Sequence, residues 1–234
     1  MKNIRSKSGP TKQKPFFKSE EIEEICTSEL KKFNLFPSKP EPIRIERFIE
    51  KKFGVTPIYV DVDPGILGFT KFGTKGVQEI YIAKSLDDEG SQISSRRIRT
   101  TLAHEAGHGL LHSHIFALGK GNPGLFNDEQ PDEPKILCRE VIGTQSINKK
   151  YDGRWWEYQA NKAMAALLLP KALVYEAMRP YMEKRGLLGG EVLDESKRNE
   201  AISFLSDIFD INPIVVRYRL EDLFPLTNSL QMSL

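Results

Sequence analysis

The chain predicts an α+β fold: a mostly helical body, a small antiparallel sheet beside a histidine-bearing helix, and a helical pair near the C-terminal end. Three observations carry this. Apolar residues recur at three- and four-residue spacing in long segments on both sides of residue 90, which is the helical period. The interval 55–84 instead alternates extended apolar stretches with glycine-rich turns, as a small sheet does. With 39% apolar and 28% charged residues in a chain of 234, there is enough apolar surface for one core with or without a small appendage, and no need of disulfide staples.

The first eighteen residues carry Lys2, Arg5, Lys7, Lys12, Lys14 and Lys18 without an acid, and 1–18 is expected to be a disordered basic tail. Its functional reading is an electrostatic arm for nucleic acid, and its plainer reading is a solvated terminus. Ser19 is placed to cap a helix running through about Phe33, in which Ile22, Ile25, Cys26, Leu30 and Phe33 share a face and Cys26 points inward. Pro37, Pro40 and Pro42 break the chain before a second helix, marked by Ile45, Phe48, Ile49 and Phe53 and stopped by Gly54. Val55 to Asp61 reads as extended, Gly-Ile-Leu-Gly-Phe at 65–69 as a turn, and Glu79 to Lys84 as a strand.

Arg96 to His112 reads as a helix whose stripe is Ile98, Thr101, Leu102, Ala106, Gly109 and Leu110. Residues 113–135, rich in Gly, Pro, Asn and Asp, are expected to form a surface loop over or beside a cleft. Lys135 to Gly143 adds a short strand, and Tyr151-Asp152-Gly153 turns into the next helix, whose strong formers Ala160 to Leu169 are closed by Pro170. Trp155 and Trp156 at its start have two readings, substrate subsite or helix-end packing, of which packing is preferred. Pro170 to Arg185 is read as a further helix, interrupted by Pro180 and ended near Gly186. Arg198 to Phe209 and Pro213 to Leu223, joined by Asp210-Ile211-Asn212, form a pair of helix-turn-helix shape with Val216 and Leu220 buried. Direct DNA contact would fall to Arg217 and Arg219, but Glu221 and Asp222 oppose phosphate, so a subdomain packed on the body is preferred.

A net charge of +2 is too small to imply nucleic acid by itself. Two well-separated cysteines, no N-terminal apolar leader and no run of eighteen apolar residues give the expectation of a soluble, reduced, cytoplasmic protein with no membrane contact.

Function is sought where the histidines are. All four lie between His104 and His114, and His104-Glu105-Ala106-Gly107-His108 has the spacing of a zinc hydrolase. Positions i and i+4 share a helix face, so His104 and His108 can aim at one Zn2+ ion. Glu105, rotated about 100° from His104, can face the attacking water without being a ligand, which suits a general base.

A catalytic zinc site needs a third protein ligand and an open position. His112 stands about 12 Å of helical rise from His104 and would need the helix to end early. A glycine that lets the chain turn back would have to occupy position 111, which is Leu111. His114 reads as a surface or supporting residue, and Cys138 as buried packing. The better source is Glu157, which with Asn161 forms a second i, i+4 pair. One of the two would bind metal while the other accepts the remaining ring N–H of a ligating histidine. The bland alternative is a chance pattern whose histidines are satisfied core groups.

The stretches TLAHEAGHGLLH at 101–112 and EYQANKAMAALLLP at 157–170 resemble the ImmA/IrrE family of zinc metallo-endopeptidases, which share a gluzincin-like core. The resemblance extends over roughly residues 20–225, with the two metal motifs its specific part. It implies a zincin-like domain over 19–195 and a C-terminal helical subdomain over 196–234. It also implies ligation by His104, His108 and Glu157, with Glu105 as catalytic base; Asn161 is then the member of the i, i+4 pair left for the supporting role. Family members typically cleave helix-turn-helix repressors and so release the genes they silence, which makes such a repressor the expected substrate. The long 113–156 segment and the basic tail depart from the family pattern. The rival expectation is a non-catalytic, zinc-containing regulator or toxin component that binds a repressor or DNA, which the Glu105 beside a ligand disfavours. For the oxyanion-stabilising residue, Tyr151, His112 and Tyr158 are the candidates.

Overall fold

The structure is a computed structural model that describes residues 2–5, 13–73, 75–88, 90–118, 135–139, 155–185 and 190–225. In the stretch read as a disordered arm, Lys2–Arg5 (β1) and Gln13–Phe16 (β2) pair as an antiparallel ribbon. The first helix, α1, spans Ser19–Lys32, and the cap falls one residue earlier than expected. The Lys18 backbone N–H donates to the Glu21 carboxylate at 2.8 Å, so Lys18 rather than Ser19 takes the cap position. Ile22, Cys26 and Leu30 face inward, and burial pushes the Cys26 thiol far above its ordinary range, leaving it an inert packing group. Helix α2, Ile45–Phe53, ends as expected on Gly54, whose φ of 71° is the left-handed cap conformation.

Four strands follow in the spatial order β3-β5-β4-β6, with β3 at Ile58–Val60, β4 at Ile66–Gly73, β5 at Gly76–Ala83 and β6 at Lys135–Arg139. The sheet is antiparallel through β5, β4 and β6, while β3 joins β5 in parallel. The predicted turn at 65–69 is confined to its first residue. Gly65 has a φ of 86°, and Ile66 to Phe69 already lie in β4. After a short helix α3 (Lys84–Asp88), helix α4 runs from Gln92 to Leu118, longer at both ends than the predicted 96–112. At its start, Ser91 accepts the Ser94 N–H at 3.1 Å, a cap signal ahead of the apolar stripe. At its end there is no glycine or proline before Gly119, so the first six residues of the predicted loop are helical instead.

Helix α5 spans Trp155–Leu168 and α6 spans Lys171–Met178. The sequence extends α6 to Arg185, but the chain leaves it at Met178 through a single 3-10 turn, Arg179–Tyr181. Arg179 itself keeps right-handed helical backbone, with φ −45° and ψ −41°, but Pro180 has no N–H to return to the preceding turn, so the α-helical bonding stops there. Met182–Arg185 (β7) then pairs antiparallel with Gly190–Leu193 (β8). Helices α7 (Arg198–Phe209) and α8 (Pro213–Leu223) form the expected pair, with Asn212 accepting the Ile214 N–H at 3.0 Å.

Most of the buried apolar side chains make one cluster from Ile22 in α1 through α4 and α5 to Phe224 after α8, so the C-terminal pair shares its core with the histidine helix. Arg219 is part of that join. It is 5% exposed, donates through Nε to the Leu169 carbonyl at 2.9 Å and pairs with Glu23. Of the two arginines the sequence offers to DNA, Arg219 is therefore a structural tie and only Arg217 is exposed. Among the described residues no helix is long and apolar enough to cross a membrane.

Candidate metal centre

Two small residues let the elements of the site approach. A Cβ on Gly107 would stand 2.9 Å from the Ala160 carbonyl oxygen and 3.1 Å from the Ala163 Cβ, so α4 and α5 cross nearly backbone to backbone at this point. On the other side of α4, a Cβ on Gly68 would stand 2.7 Å from the Thr101 methyl, which presses β4 onto the same helix.

At the crossing, the side chains singled out from the sequence come together. His104 Nε2 lies 3.2 Å and His108 Nε2 lies 3.6 Å from Glu157 Oε2, and the two histidine Nε2 atoms are 3.0 Å apart. Ligand atoms about 2.0–2.1 Å from a tetrahedral ion stand about 3.3 Å from one another, so the three observed distances match the edges of one ligand face. The group can hold a metal ion. His104 and His108 are essentially inaccessible, while Glu157 keeps 17% of its side-chain surface and so opens the centre toward solvent.

The sequence leaves open which of Glu157 and Asn161 faces the ion, and the geometry distinguishes them. Asn161 Oδ1 is 3.0 Å from Nδ1 of His104, the ring atom away from Glu157, where it accepts the N–H and leaves Nε2 its lone pair. Charge follows the same pattern. Burial holds the His108 pKa below its ordinary value despite the nearby Glu157 carboxylate, so the ring is neutral near pH 7. Burial alone would push the Glu157 carboxyl up, but at acid pH the charge of a protonated His108 and the hydrogen bonds that both rings then give outweigh it and hold the pKa well below the usual range. Neutral imidazoles and an ionised carboxylate are the forms that bind metal.

Glu105 is fully buried on the same helix, and the Thr70 hydroxyl donates to its Oε2 at 2.5 Å. The strand thereby fixes the plane of this carboxylate. Thr70 is absent from the sequence reading, because nothing near it in the chain marks it as the partner of Glu105. It is a buried polar residue on β4 between the equally buried Gly68 and Phe72, at positions that alternate along the strand. His112, rejected as a ligand, lies behind the centre. Its Nδ1 is 3.0 Å from His108 Nδ1, and its Nε2 is 3.2 Å from Gln159 Oε1. Gln159 is likewise missing from the sequence reading. Its only mark there is a polar residue in the first half of an apolar helix.

Trp155 and Trp156 are buried and packed edge to face, with Trp155 also on the His112 ring, which is the packing role. Tyr158 is 51% exposed beside Glu157. Tyr151 and the side chains of His114 and Cys138 lie outside the described residues. No protein-family model matches this chain, and no curated protein matches it.

Proposed function

We propose that this chain is a zinc-dependent endopeptidase of the ImmA/IrrE type, whose substrate is a helix-turn-helix repressor. The observation that carries the reading is the convergence of His104, His108 and Glu157 on one point, with Glu105 adjacent in sequence and held by Thr70. Two imidazoles and one carboxylate form a borderline-soft set that suits zinc better than calcium or magnesium, which favour oxygen donors. Three protein ligands leave one position for chemistry, and a purely structural site has no use for a base beside it.

His104, His108 and Glu157 would hold the ion, which when bound polarises the scissile carbonyl and acidifies the attacking water. Glu105 takes the proton from that water on its carboxylate and delivers it to the leaving amine. Thr70 keeps the carboxylate oriented through both transfers. Asn161 keeps His104 in the tautomer whose Nε2 is free to bind.

The test is incubation of the zinc-loaded protein with candidate helix-turn-helix repressors, with mass spectrometry of the products. Wild type should cut one repressor at a defined bond in an extended or locally opened segment. Glu105→Gln should retain zinc and fold but lose cleavage. Cleavage by Glu105→Gln at the wild-type rate would overturn the assigned mechanism. Digestion of unstructured casein as fast as any repressor would overturn the proposed substrate.

A further inference from the structure

Histidine ligands normally give their second ring N–H to a carboxylate, carbonyl or water. His104 follows that pattern with the Asn161 amide oxygen. His108 does not, because the atom 3.0 Å from its Nδ1 is the Nδ1 of another imidazole, His112. The two rings are one turn apart on α4, both are completely buried, and their planes meet at 49°.

A neutral imidazole has one donor nitrogen and one acceptor nitrogen, which fixes the polarity of this contact. If His108 binds the ion through Nε2, its Nδ1 must carry the proton and donate. His112 Nδ1 must then accept, so the His112 proton sits on Nε2. That atom is 3.2 Å from Gln159 Oε1, a group that can only accept. The order therefore runs His108 Nδ1–H to His112 Nδ1, and His112 Nε2–H to Gln159 Oε1. Reversing either step places a proton on His108 Nε2, where the ion would bind.

We propose that His112 is a positioning residue of the metal centre, held in its Nε2–H tautomer by Gln159 so that it accepts from His108 and keeps the His108 Nε2 lone pair aimed at the ion. This rests on the metal-binding reading of His104, His108 and Glu157 and is independent of peptidase chemistry. It gives α5 three roles on one short segment: Glu157 binds, while Gln159 and Asn161 each fix one histidine. The edge-to-face contact of Trp155 on His112, with ring centres 5.6 Å apart, holds the ring plane so that both nitrogens stay aligned.

The experiment pairs variants that separate acceptor chemistry from packing. His112→Phe keeps a ring against Trp155 but removes the acceptor, whereas His112→Gln restores an amide oxygen toward His108. Zinc affinity by chelator competition should fall about 10- to 100-fold in His112→Phe and in Gln159→Met, and should recover to within about threefold of wild type in His112→Gln. The cobalt-substituted protein should show an altered visible spectrum in His112→Phe alone of the two His112 variants. Independently of metal, nitrogen-15 spectra of the zinc-free wild type should show His108 protonated at Nδ1 and His112 at Nε2. Equal zinc affinity of His112→Phe and wild type would overturn the proposal, as would the opposite tautomers. If wild type itself binds no zinc while showing the expected tautomers, the metal reading fails and takes this role with it.

Discussion

Two clusters of ionisable side chains sit on α4, with their midpoints about 13 Å of helical rise apart, and they are satisfied in opposite ways. Toward its start, Arg96 and Arg99 grip Asp210, the left-handed residue that ends α7. Arg96 Nε is 3.0 Å from one carboxylate oxygen and Arg99 Nη1 is 2.5 Å from the other, and Arg96 also reaches Asp207 at 3.0 Å. Each carboxylate there meets a cation, and the cluster is closed. At the middle of α4, His104, His108 and Glu157 instead bring three lone-pair atoms within 3.6 Å of one another. That convergence is unfavourable unless a proton or metal ion lies among them. The far ring atoms of both histidines are meanwhile held by hydrogen bonds, so the lone pairs cannot turn away. A structural cluster neutralises itself, whereas a binding cluster is held in a geometry that calls for a cation.

The comparison predicts different losses from the two regions. The largest is at the centre. Glu157→Ala should weaken zinc binding on the order of a thousandfold, about 4 kcal/mol, by titration against a competing chelator. Its loss should exceed that of His112→Ala, because one removes a ligand and the other a support. An equal or reversed order would break the distinction between the Glu157 and His112 roles.

Next comes the tie between α8 and the body. Arg219→Ala leaves Glu23 and the Leu169 carbonyl without their buried donor, and should cost on the order of 3 kcal/mol in chemical unfolding. Arg217→Ala, on the exposed face, should change stability by less than about 0.5 kcal/mol. Similar effects of the two would contradict the assignment of Arg219 as structural.

Gly107→Ala should destabilise the zinc-free protein by about 1 to 3 kcal/mol, because its methyl meets the Ala160 carbonyl and forces α4 and α5 apart. Zinc affinity should fall with it, since the ligands come from both helices. Loss of stability with unchanged affinity would show that the crossing does not set the site.

The smallest effect belongs to the closed cluster. Asp210→Asn should cost about 1 to 2 kcal/mol and leave zinc affinity within about twofold. Burial would push the Asp210 carboxyl up, but the Arg96 hydrogen bond and the Arg99 charge hold it below its ordinary value. Its contribution is therefore fully present above about pH 3.9, the unfolded value, and is lost as pH falls through the lower folded value. Unfolding of zinc-free protein between pH 2.5 and 6 should show wild type and Asp210→Asn converging at the acid end. A constant gap across that range would exclude the ion pairs as the cause.

Local pattern carried much of this into the sequence. The i, i+4 spacing of His104 with His108 and of Glu157 with Asn161 reports two helix faces directly, because it depends on helical geometry alone. The C-terminal pair was visible for a similar reason, since Pro213 marks a helix start. What was not legible depends on contacts between distant segments. Thr70 meets Glu105 across 35 residues, and Gln159 meets His112 across 47. Arg219 reads as a surface cation until Glu23, 196 residues away, is seen beside it. The α6 boundary failed for another reason. Leu173, Val174, Ala177, Met178 and Tyr181 keep helical spacing, and that periodicity outweighed the proline that ends the helix.

The proposed centre holds one ion between two histidines of α4 and one glutamate of α5. X-ray absorption at the zinc edge of the loaded protein, with metal content by elemental analysis, tests it most directly. The loaded protein should hold one zinc per chain with two imidazole ligands, the remainder oxygen, and no sulfur. Three imidazoles at the metal would place His112 in the first coordination sphere and contradict the α4–α5 centre, and so would failure to retain stoichiometric zinc.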